Sequence, residues 1–313
     1  MKQDILLLNP ILIPTINDKL SETYNVRRYY EQDDKDAYIR EFGSAIRGVV
    51  TGGHSGIKRS LMEKLPGLKV IAVNGVGIDA VDIEYARSRG IHVTATVGAL
   101  TDDVADLAIG LLIAVCRGLC TGDRYVRDGQ WGISELPLAR KFSGMRVGIV
   151  GLGRIGRAIA TRAAVFGCPI RYTDLHPMAD VPYTFVADLK QLASESDALM
   201  LAAAADKAEG IINAAVLDAL GKKGILVNVA RGRLVNEQDL VQALQTGRIA
   251  GAGLDVFVDE PRVPTALLGM HNVVLQPHRA SATVETRTAT GEMVLTSLAQ
   301  ALAGHRPATS VTT

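Results

Sequence analysis

Val147-Gly148-Ile149-Val150-Gly151-Leu152-Gly153-Arg154-Ile155-Gly156 decides the fold of this chain. An apolar run enters a turn with the spacing G-x-G-x-x-G, and an apolar pattern at helical spacing follows it. The first glycine permits the tight turn, the second lets the backbone approach a pyrophosphate, and the third lets the helix pack closely on the strand. The N–H groups that begin the helix attract phosphates. The stretch therefore predicts a strand, a turn and a helix that bind a dinucleotide.

A carboxylate follows the next predicted strand. Asp174 comes directly after Ile170–Thr173, where an acid commonly bonds the 2′-hydroxyl of the adenosine ribose. The same charge would repel a 2′-phosphate. We therefore expect NAD(H) as the cofactor. NADP(H) is the alternative, because a protonated His176 could meet a phosphate.

The composition narrows the class of protein. A length of 313 residues predicts two domains, and 48% hydrophobic residues supply sizeable cores. The 34 basic and 33 acidic side chains nearly cancel, so we expect neither a nucleic-acid partner nor a membrane partner. The three cysteines form no C-x-x-C pair, which predicts a reducing compartment, with no metal site. The first apolar run, Ile5–Leu8, is too short for a signal peptide, and we expect a cytoplasmic protein.

Apolar strands alternate with helical patterns along the chain, which predicts parallel sheets with helices on both faces. The predicted strands are Ile5–Leu8, Gly48–Thr51, Val70–Val73 and His92–Thr94 in a first series, then Arg146–Val150, Ile170–Thr173, Ala198–Leu201, Ile225–Val229, Gly253–Val256 and Val273–Leu275. One helical pattern, Ala282–Leu302, follows the second series and is expected to pack back on the first. We predict an α/β protein with two Rossmann-like or flavodoxin-like doubly wound domains and an active site in the cleft between them. The substrate-binding domain would be residues 1–99 plus 281–313, and the dinucleotide-binding domain residues 100–280.

Two segments outside the predicted strands carry further expectations. Residues from Asp102 to about Val126 predict one long helix with Thr101 as its N-cap. The tail Ala308–Thr313 is rich in serine and threonine, and we expect it to be frayed.

Three polar residues, Arg231, Glu260 and His278, closely follow strands of the second series. Taken singly, they also fit a surface charge, a turn residue and a loop histidine, but ligands of open α/β sheets bind at the carboxyl ends of the strands. An arginine offers a carboxylate two parallel N–H bonds, and a histidine exchanges a proton near neutral pH. A glutamate beside the histidine would fix its tautomer and favour the imidazolium. With a dinucleotide nearby, this set predicts hydride transfer to a 2-keto acid.

Several separated motifs resemble the D-isomer-specific 2-hydroxyacid dehydrogenase family over nearly the whole chain. They are Asn228–Gly232, Gly253–Phe257 with Glu260-Pro261, Pro277-His278 with Ser281 and Thr283, and Asn74–Asp79. The resemblance implies that Arg231 binds the carboxylate and keto oxygen of the substrate, that His278 protonates this oxygen as hydride arrives, and that Glu260 pairs with His278. The backbone amides of Val76 and Gly77 would complete the carboxylate site.

The resemblance also implies a set of cofactor contacts, in which Asp255 would hold the nicotinamide carboxamide. The full set is Thr101, Val104, Gly151, Gly153, Arg154, Ile155, Gly156, Asp174, Ala230, Asp255 and His278.

The stretches Arg124–Trp131 and Lys141–Gly148 resemble the hydroxypyruvate and glyoxylate reductase branch, which implies a homodimer with the helix from Asp102 as its main contact. In that dimer Trp131 would either bind substrate in the partner's active site or pack within the dimer arm. Arg279 stands where the family commonly has an apolar residue. It could favour a more acidic substrate or only make protonation of His278 harder.

Glyoxylate and hydroxypyruvate are the leading predicted substrates. Two other functions are compatible with the fold. One is another 2-hydroxyacid dehydrogenase, such as phosphoglycerate dehydrogenase, although the chain has no room for the regulatory domain that many of those carry. The other is a non-catalytic NAD(H)-sensing binding protein. The complete set of Arg231, Glu260 and His278 favours an enzyme.

Overall fold

The computed structural model describes residues 2–204 and 208–312. The chain forms two compact units. Unit 1 contains the residues up to Leu100 and those from Ser281 onward, and unit 2 contains Thr101–Ala280. Each unit has a parallel sheet of its own, with five strands in unit 1 and seven in unit 2. Two α/β units with parallel sheets confirm the predicted fold class.

Unit 1 is a doubly wound sheet with the strand order β2-β1-β3-β4-β5, and all neighbouring strands are parallel. Its strands are β1 (Asp4–Leu7), β2 (Asn25–Arg28), β3 (Ile46–Gly52), β4 (Val70–Asn74) and β5 (His92–Ala95). Its helices are α1 (Pro14–Thr23), α2 (Lys35–Phe42), α3 (Arg59–Glu63), α4 (Ile83–Ser88) and, from the end of the chain, α12 (Val284–Leu302).

Helix α12 packs on β3, β4 and α1 of unit 1. This was expected, because a single helix after the last strand cannot form a domain of its own. Its apolar side chains Val294 and Leu298 are buried in one core cluster with Ile5 and Val70. Burying a side chain of this size contributes about 1.5–3 kcal/mol. This helix therefore belongs to the core of the first unit.

Residues Ser310, Val311 and Thr312 of the C-terminal tail are bonded to the sheet of unit 1, so for them the expectation of a frayed tail was wrong. Ser310 forms an antiparallel bridge with Thr94, and the N–H of Val311 donates to the carbonyl of Val93 at 2.8 Å. The Thr312 hydroxyl accepts from the N–H of Val93 at 3.0 Å. Strand β5 is an edge strand, and its unpaired backbone groups stabilise the tail. Composition alone does not reveal which strand is an edge.

Unit 2 has the strand order β12-β11-β10-β9-β6-β7-β8, again with parallel neighbours. Its strands are β6 (Val147–Val150), β7 (Ile170–Thr173), β8 (Thr184–Phe185), β9 (Ala198–Leu201), β10 (Ile225–Asn228), β11 (Gly251–Leu254) and β12 (Val273–Leu275). Its helices are α5 (Thr101–Arg117), α6 (Leu119–Arg127), α7 (Arg154–Val165), α8 (Leu189–Ser194), α9 (Ala214–Leu220), α10 (Glu237–Gln245) and α11 (Thr265–Leu268).

The predicted long helix from Asp102 is two helices. Thr101 is the first residue of α5 rather than its cap, and Gly118 adopts a left-handed conformation (φ +60°) that ends α5 and begins α6 at an angle of 60°. Among the described residues, no single helix is long and apolar enough to cross a bilayer. The bent pair α5–α6 meets that criterion together, by length and composition only.

An ion pair joins Arg146 and Asp197, the residues that directly precede the central strands β6 and β9 of unit 2. Asp197 precedes β9 and accepts from the backbone N–H of Arg146 at 2.9 Å and from its guanidinium at 3.1 Å through each oxygen. The hydrogen bonds from Arg146 hold the pKa of Asp197 below its usual value. The stabilisation is therefore complete above the pKa of an unfolded aspartate, about 3.9, and is lost as the pH falls through the lower pKa of the folded state.

We expect Asp197→Ala to lower the free energy of unfolding of unit 2 by about 1–3 kcal/mol at neutral pH, because three charge-assisted hydrogen bonds are lost. The difference from the unmutated chain should shrink at pH values near 3, where Asp197 becomes protonated. Urea denaturation at both pH values measures this, with Glu135→Ala on the exposed surface of the same unit as control. A difference that grows on acidification would contradict the assignment.

Candidate active site

The glycine turn after β6 has the geometry that its spacing predicts. Gly151 has a φ of +89°, and a Cβ on it would lie 2.5 Å from the Cα of Ala203. A Cβ on Gly156 would lie 2.0 Å from the carbonyl oxygen of Gly151. Helix α7 begins at Arg154, and its N-cap, Gly153, has no side chain to cap the first N–H groups. Arg154 and Ile155 thus lie in a first helical turn that is suited to bind a phosphate.

Asp174 lies directly beside this turn. One oxygen of its carboxylate accepts from the N–H of Leu152 at 2.7 Å, and the other accepts from the N–H of Leu175 at 2.7 Å. The first bond ties the carboxylate after β7 to the glycine-rich segment after β6. This is the position at which a ribose hydroxyl is expected in this type of fold.

Glu260 and His278 form a close pair. The Nδ1 atom of His278 lies 2.6 Å from Oε2 of Glu260, and the other oxygen of Glu260 accepts from the N–H of Phe257 at 2.9 Å. The side chain of Glu260 is 12% exposed and that of His278 is 35% exposed. The pair is therefore held largely inside the protein, while part of the imidazole reaches the surface.

The backbone at His278 is unusual. Its φ is +48°, and it is the only non-glycine residue with a positive φ among residues 2–204 and 208–312. A left-handed conformation costs a non-glycine residue roughly 1–2 kcal/mol, so surrounding contacts must hold it. The N–H of His278 donates to the carbonyl of Asp255 at 2.8 Å.

Asp255, directly after β11, stabilises the loop that carries His278. Its side chain is 0% exposed, and its two oxygens accept from the N–H groups of Arg279 at 2.8 Å and Ala280 at 3.0 Å. Burial raises the pKa of Asp255. The contact of Asp255 with a nicotinamide carboxamide stays a prediction. The same carboxylate also stabilises the backbone of the His278 loop through these two hydrogen bonds.

Asn228, the last residue of β10, shapes the loop that carries Arg231. Its amide group donates to the carbonyl of Arg231 at 2.9 Å and accepts from the N–H of Ala230 at 3.0 Å. Asn228 is almost completely buried. Asn228 was not predicted as a site residue, although it is recognisable in the sequence as the single polar residue of an apolar strand.

The loop of Arg231 fits tightly against the loop of Glu260. A Cβ on Gly232 would lie 1.9 Å from the carbonyl carbon of Phe257. Nearby, the carboxylate of Glu237 accepts from the N–H of Val258 at 2.9 Å, and burial raises the pKa of Glu237. Sequence reasoning missed Gly232 and Glu237 as site residues.

Within unit 2, the structure thus brings two sets of predicted residues to the carboxyl ends of the strands. One set is the glycine turn with Asp174, and the other is Ala230, Arg231, Asp255, Glu260 and His278. Thr101 and Val104 lie in the first turn of α5. Their individual roles stay predictions.

The remaining predicted residues belong to other segments of the chain. Val76 and Gly77 are in unit 1, in the segment after β4, where the carbonyl of Gly75 accepts from the N–H of Thr96 at 2.8 Å. Trp131 lies in the segment between α6 and β6 and is 80% exposed. Both interpretations of Trp131 stay open.

Comparison with known proteins identifies the family. Residues 109–280 match the family model described as D-isomer specific 2-hydroxyacid dehydrogenase, NAD binding domain. The chain belongs to the D-isomer-specific 2-hydroxyacid dehydrogenase family. The resemblance drawn from the motifs is therefore confirmed, and this dehydrogenase is an NAD(P)-dependent oxidoreductase.

Relatives match this dehydrogenase over almost their whole length. A 2-ketogluconate reductase of Gluconobacter oxydans is 44% identical, over 95% of this chain and 94% of the relative. A glyoxylate/hydroxypyruvate reductase of Arabidopsis thaliana is 43% identical, over 95% of each chain. The crystal structure of an NADPH-dependent glyoxylate/hydroxypyruvate reductase from Sinorhizobium meliloti has a TM-score of 0.90 and 38% identity, and the match covers 99% of this chain and 98% of that one.

Proposed function

We propose that this dehydrogenase reduces glyoxylate, hydroxypyruvate or a similarly small 2-keto acid to the D-2-hydroxy acid, with His278 as the acid and base. The observation that carries the proposal is the 2.6 Å contact between Glu260 and His278. The loops of Glu260 and Arg231 also lie against each other. The names of the relatives support this substrate class.

The residues of the proposed mechanism have distinct roles. The guanidinium of Arg231 binds the substrate carboxylate and polarises the keto oxygen, and the amides of Val76 and Gly77 bind the same carboxylate. Because Nδ1 of His278 is held by Glu260, Nε2 gives a proton to the keto oxygen. A reduced nicotinamide cofactor held at the glycine turn, Gly151–Gly156, would supply a hydride to the carbonyl carbon. The hydride and the proton together convert the keto group into a hydroxyl group, and in the reverse reaction His278 takes the proton back.

A substrate screen tests the proposal. We expect oxidation of NADH, followed by its absorbance, with glyoxylate and hydroxypyruvate, and slower oxidation with bulkier acids such as 2-ketogluconate. A clear preference for 2-ketogluconate would leave the enzyme class intact but reject the small substrates. NADH binding without turnover of any acid would favour the NAD(H)-sensing protein instead.

Asp174 supports NAD(H) over NADP(H) in this proposal, because its carboxylate lies at the glycine turn. The Sinorhizobium relative, which is NADPH-dependent by name, makes NADP(H) the alternative to test. We expect Asp174→Asn to lower kcat/KM for NADH by roughly tenfold and to raise kcat/KM for NADPH, because a charge-assisted hydrogen bond is weakened and a repulsion is removed. Leu175→Ala, at the exposed neighbouring residue, is the control. A parent enzyme that already prefers NADPH would reject the assignment.

The homodimer is also part of the proposal. Trp131, Ile133 and Leu138 are large apolar side chains exposed on the segment between α6 and β6. Large exposed apolar patches are typical of protein–protein contacts, and these three side chains lie close together in the sequence. Light scattering coupled to size-exclusion chromatography measures the mass, and a monomer at micromolar concentration would reject the dimer.

A further inference from the structure

A cavity of about 460 Å³ lies within unit 1, apart from the loop that carries Val76 and Gly77. It opens at the carboxyl ends of three neighbouring strands, because Leu8 follows β1, Tyr29 follows β2 and Ser55 follows β3, and all three line it. This volume is in the usual range for small-molecule sites, roughly 300–1,000 Å³.

The position of the cavity is the one at which open α/β sheets bind ligands. In the order β2-β1-β3-β4-β5, strand β1 has β2 on one side and β3 on the other. The chain runs from β1 to β2 and then crosses back to β3, so the direction of winding reverses between β1 and β3. The crevice at such a reversal, outside the carboxyl ends of the strands, is the general ligand position of doubly wound sheets. The loop that is predicted to bind the substrate carboxylate follows β4 instead. The cavity is therefore a second ligand position at the carboxyl ends of the strands.

The side chains around the cavity suit an anion. Lys35, Lys58 and Lys64 line it together with one carboxylate, that of Asp36. Lys64 bonds Asp36 at 2.7 Å, and these two charges offset each other. Within the described residues, Lys35 and Lys58 have no carboxylate partner, which leaves two positive charges for a ligand.

The walls of the cavity supply further contacts for a small organic molecule. The rings of Tyr29 and Tyr30 are half-buried in its lining, and the ammonium group of Lys35 lies 5.6 Å from the centre of the Tyr29 ring. The hydroxyl of Ser60 can donate to an anionic oxygen. Tyrosine rings offer a flat apolar surface to the carbon part of a ligand.

The wall formed by the segment after β3 is fixed by hydrogen bonds. The side chain of Asn9 accepts from the N–H of Gly52 at 2.9 Å and donates to the hydroxyl of Ser55 at 2.9 Å. The buried hydroxyl of Thr51 donates to the carbonyl of Gly56 at 2.5 Å. Because this wall is held by the protein itself, little ordering is required when a ligand binds.

From this we propose that the cavity is a binding site for a small organic dianion, in the first place a phosphate monoester, with Lys35 and Lys58 as its cationic ligands. A dicarboxylate carries the same charge and is the second class of ligand to test. The site does not depend on the proposed substrate of the dehydrogenase.

Isothermal titration calorimetry at constant ionic strength tests the site, with glycerol 3-phosphate and succinate as separate probes. Saturating NADH is present throughout, so that the glycine turn cannot take up the phosphate. We expect one glycerol 3-phosphate per chain, and binding that weakens roughly tenfold for each lysine removed in Lys35→Gln and Lys58→Gln. Lys69→Gln, which removes an exposed charge at the opposite ends of the strands, should bind as the parent does.

The outcomes distinguish a phosphate monoester from a dicarboxylate as the ligand. Lysine-dependent binding of glycerol 3-phosphate supports a phosphate site, and lysine-dependent binding of succinate alone supports a dicarboxylate site. Binding that persists unchanged in the Lys35→Gln/Lys58→Gln double variant, or no binding of either probe, overturns the proposal. Thermal melting of the variants verifies that they are folded, as expected for changes of exposed side chains.

Discussion

His278→Asn is expected to lower kcat by about 10²–10⁴-fold while NADH still binds, because general acid–base catalysis contributes a factor of this size. Asparagine is the replacement of choice, since it tolerates the left-handed backbone (φ +48°) better than alanine does. The loop is also held by Asp255, through the N–H groups of residues 278, 279 and 280, and the substitution leaves these bonds in place. The loss should therefore report proton transfer rather than collapse of the loop.

Steady-state kinetics with glyoxylate or hydroxypyruvate measures kcat, and fluorescence titration measures NADH binding. His271→Asn is the matched control, because this histidine is exposed in the same unit and follows the helix before β12. Full activity of His278→Asn would remove His278 from the mechanism. Lost NADH binding with lost activity would instead indicate that the variant damages the cofactor site.

The strands that the sequence predicts well are those with mainly apolar side chains, whether they lie inside a sheet, as β9 does, or at its edge, as β12 does. Ile170–Thr173, Ala198–Leu201 and Val273–Leu275 were predicted with the bounds that the structure has. Strands covered by helices on both faces form short, mainly apolar runs, and such runs are visible in a sequence. The strands that were missed, β2 and β8, are each at the edge of a sheet. An edge strand can carry polar side chains, as Asn25–Arg28 does, and its pairing is then invisible in the pattern.

Some features of the candidate site could likewise be predicted from the sequence and others could not. Arg231, Glu260 and His278 were recognisable because each follows a strand and has a side chain with its own chemistry. The contacts that position them join loops far apart in sequence, such as the bond from Val258 to Glu237. A glutamate at the start of a helix is common for reasons of the helix dipole alone, so its sequence position did not indicate this bond.

Gly232→Ala is expected to damage both stability and catalysis, although it adds only one methyl group. The new Cβ would lie 1.9 Å from the carbonyl carbon of Phe257, 2.1 Å from its oxygen and 2.4 Å from the nitrogen of Val258. These are backbone atoms, which cannot turn aside as a flexible side chain can. Overpacking of this kind typically costs about 1–3 kcal/mol of the free energy of unfolding, and occasionally more.

The catalytic loss follows from the position of the clash. Gly232 is next to Arg231, and Phe257 donates its N–H to Glu260, so any separation of the two loops moves the arginine away from the Glu260–His278 pair. A displacement of about 1 Å can cost 10²-fold in rate, and we expect kcat/KM to fall by at least about that factor. Kinetics and thermal unfolding of Gly232→Ala measure the two effects. Gly269→Ala, which has no heavy atom within 4 Å of the added Cβ, is the control and should be close to neutral. If Gly232→Ala keeps both the parent activity and the parent stability, the two loops are not in the close contact from which the site is built.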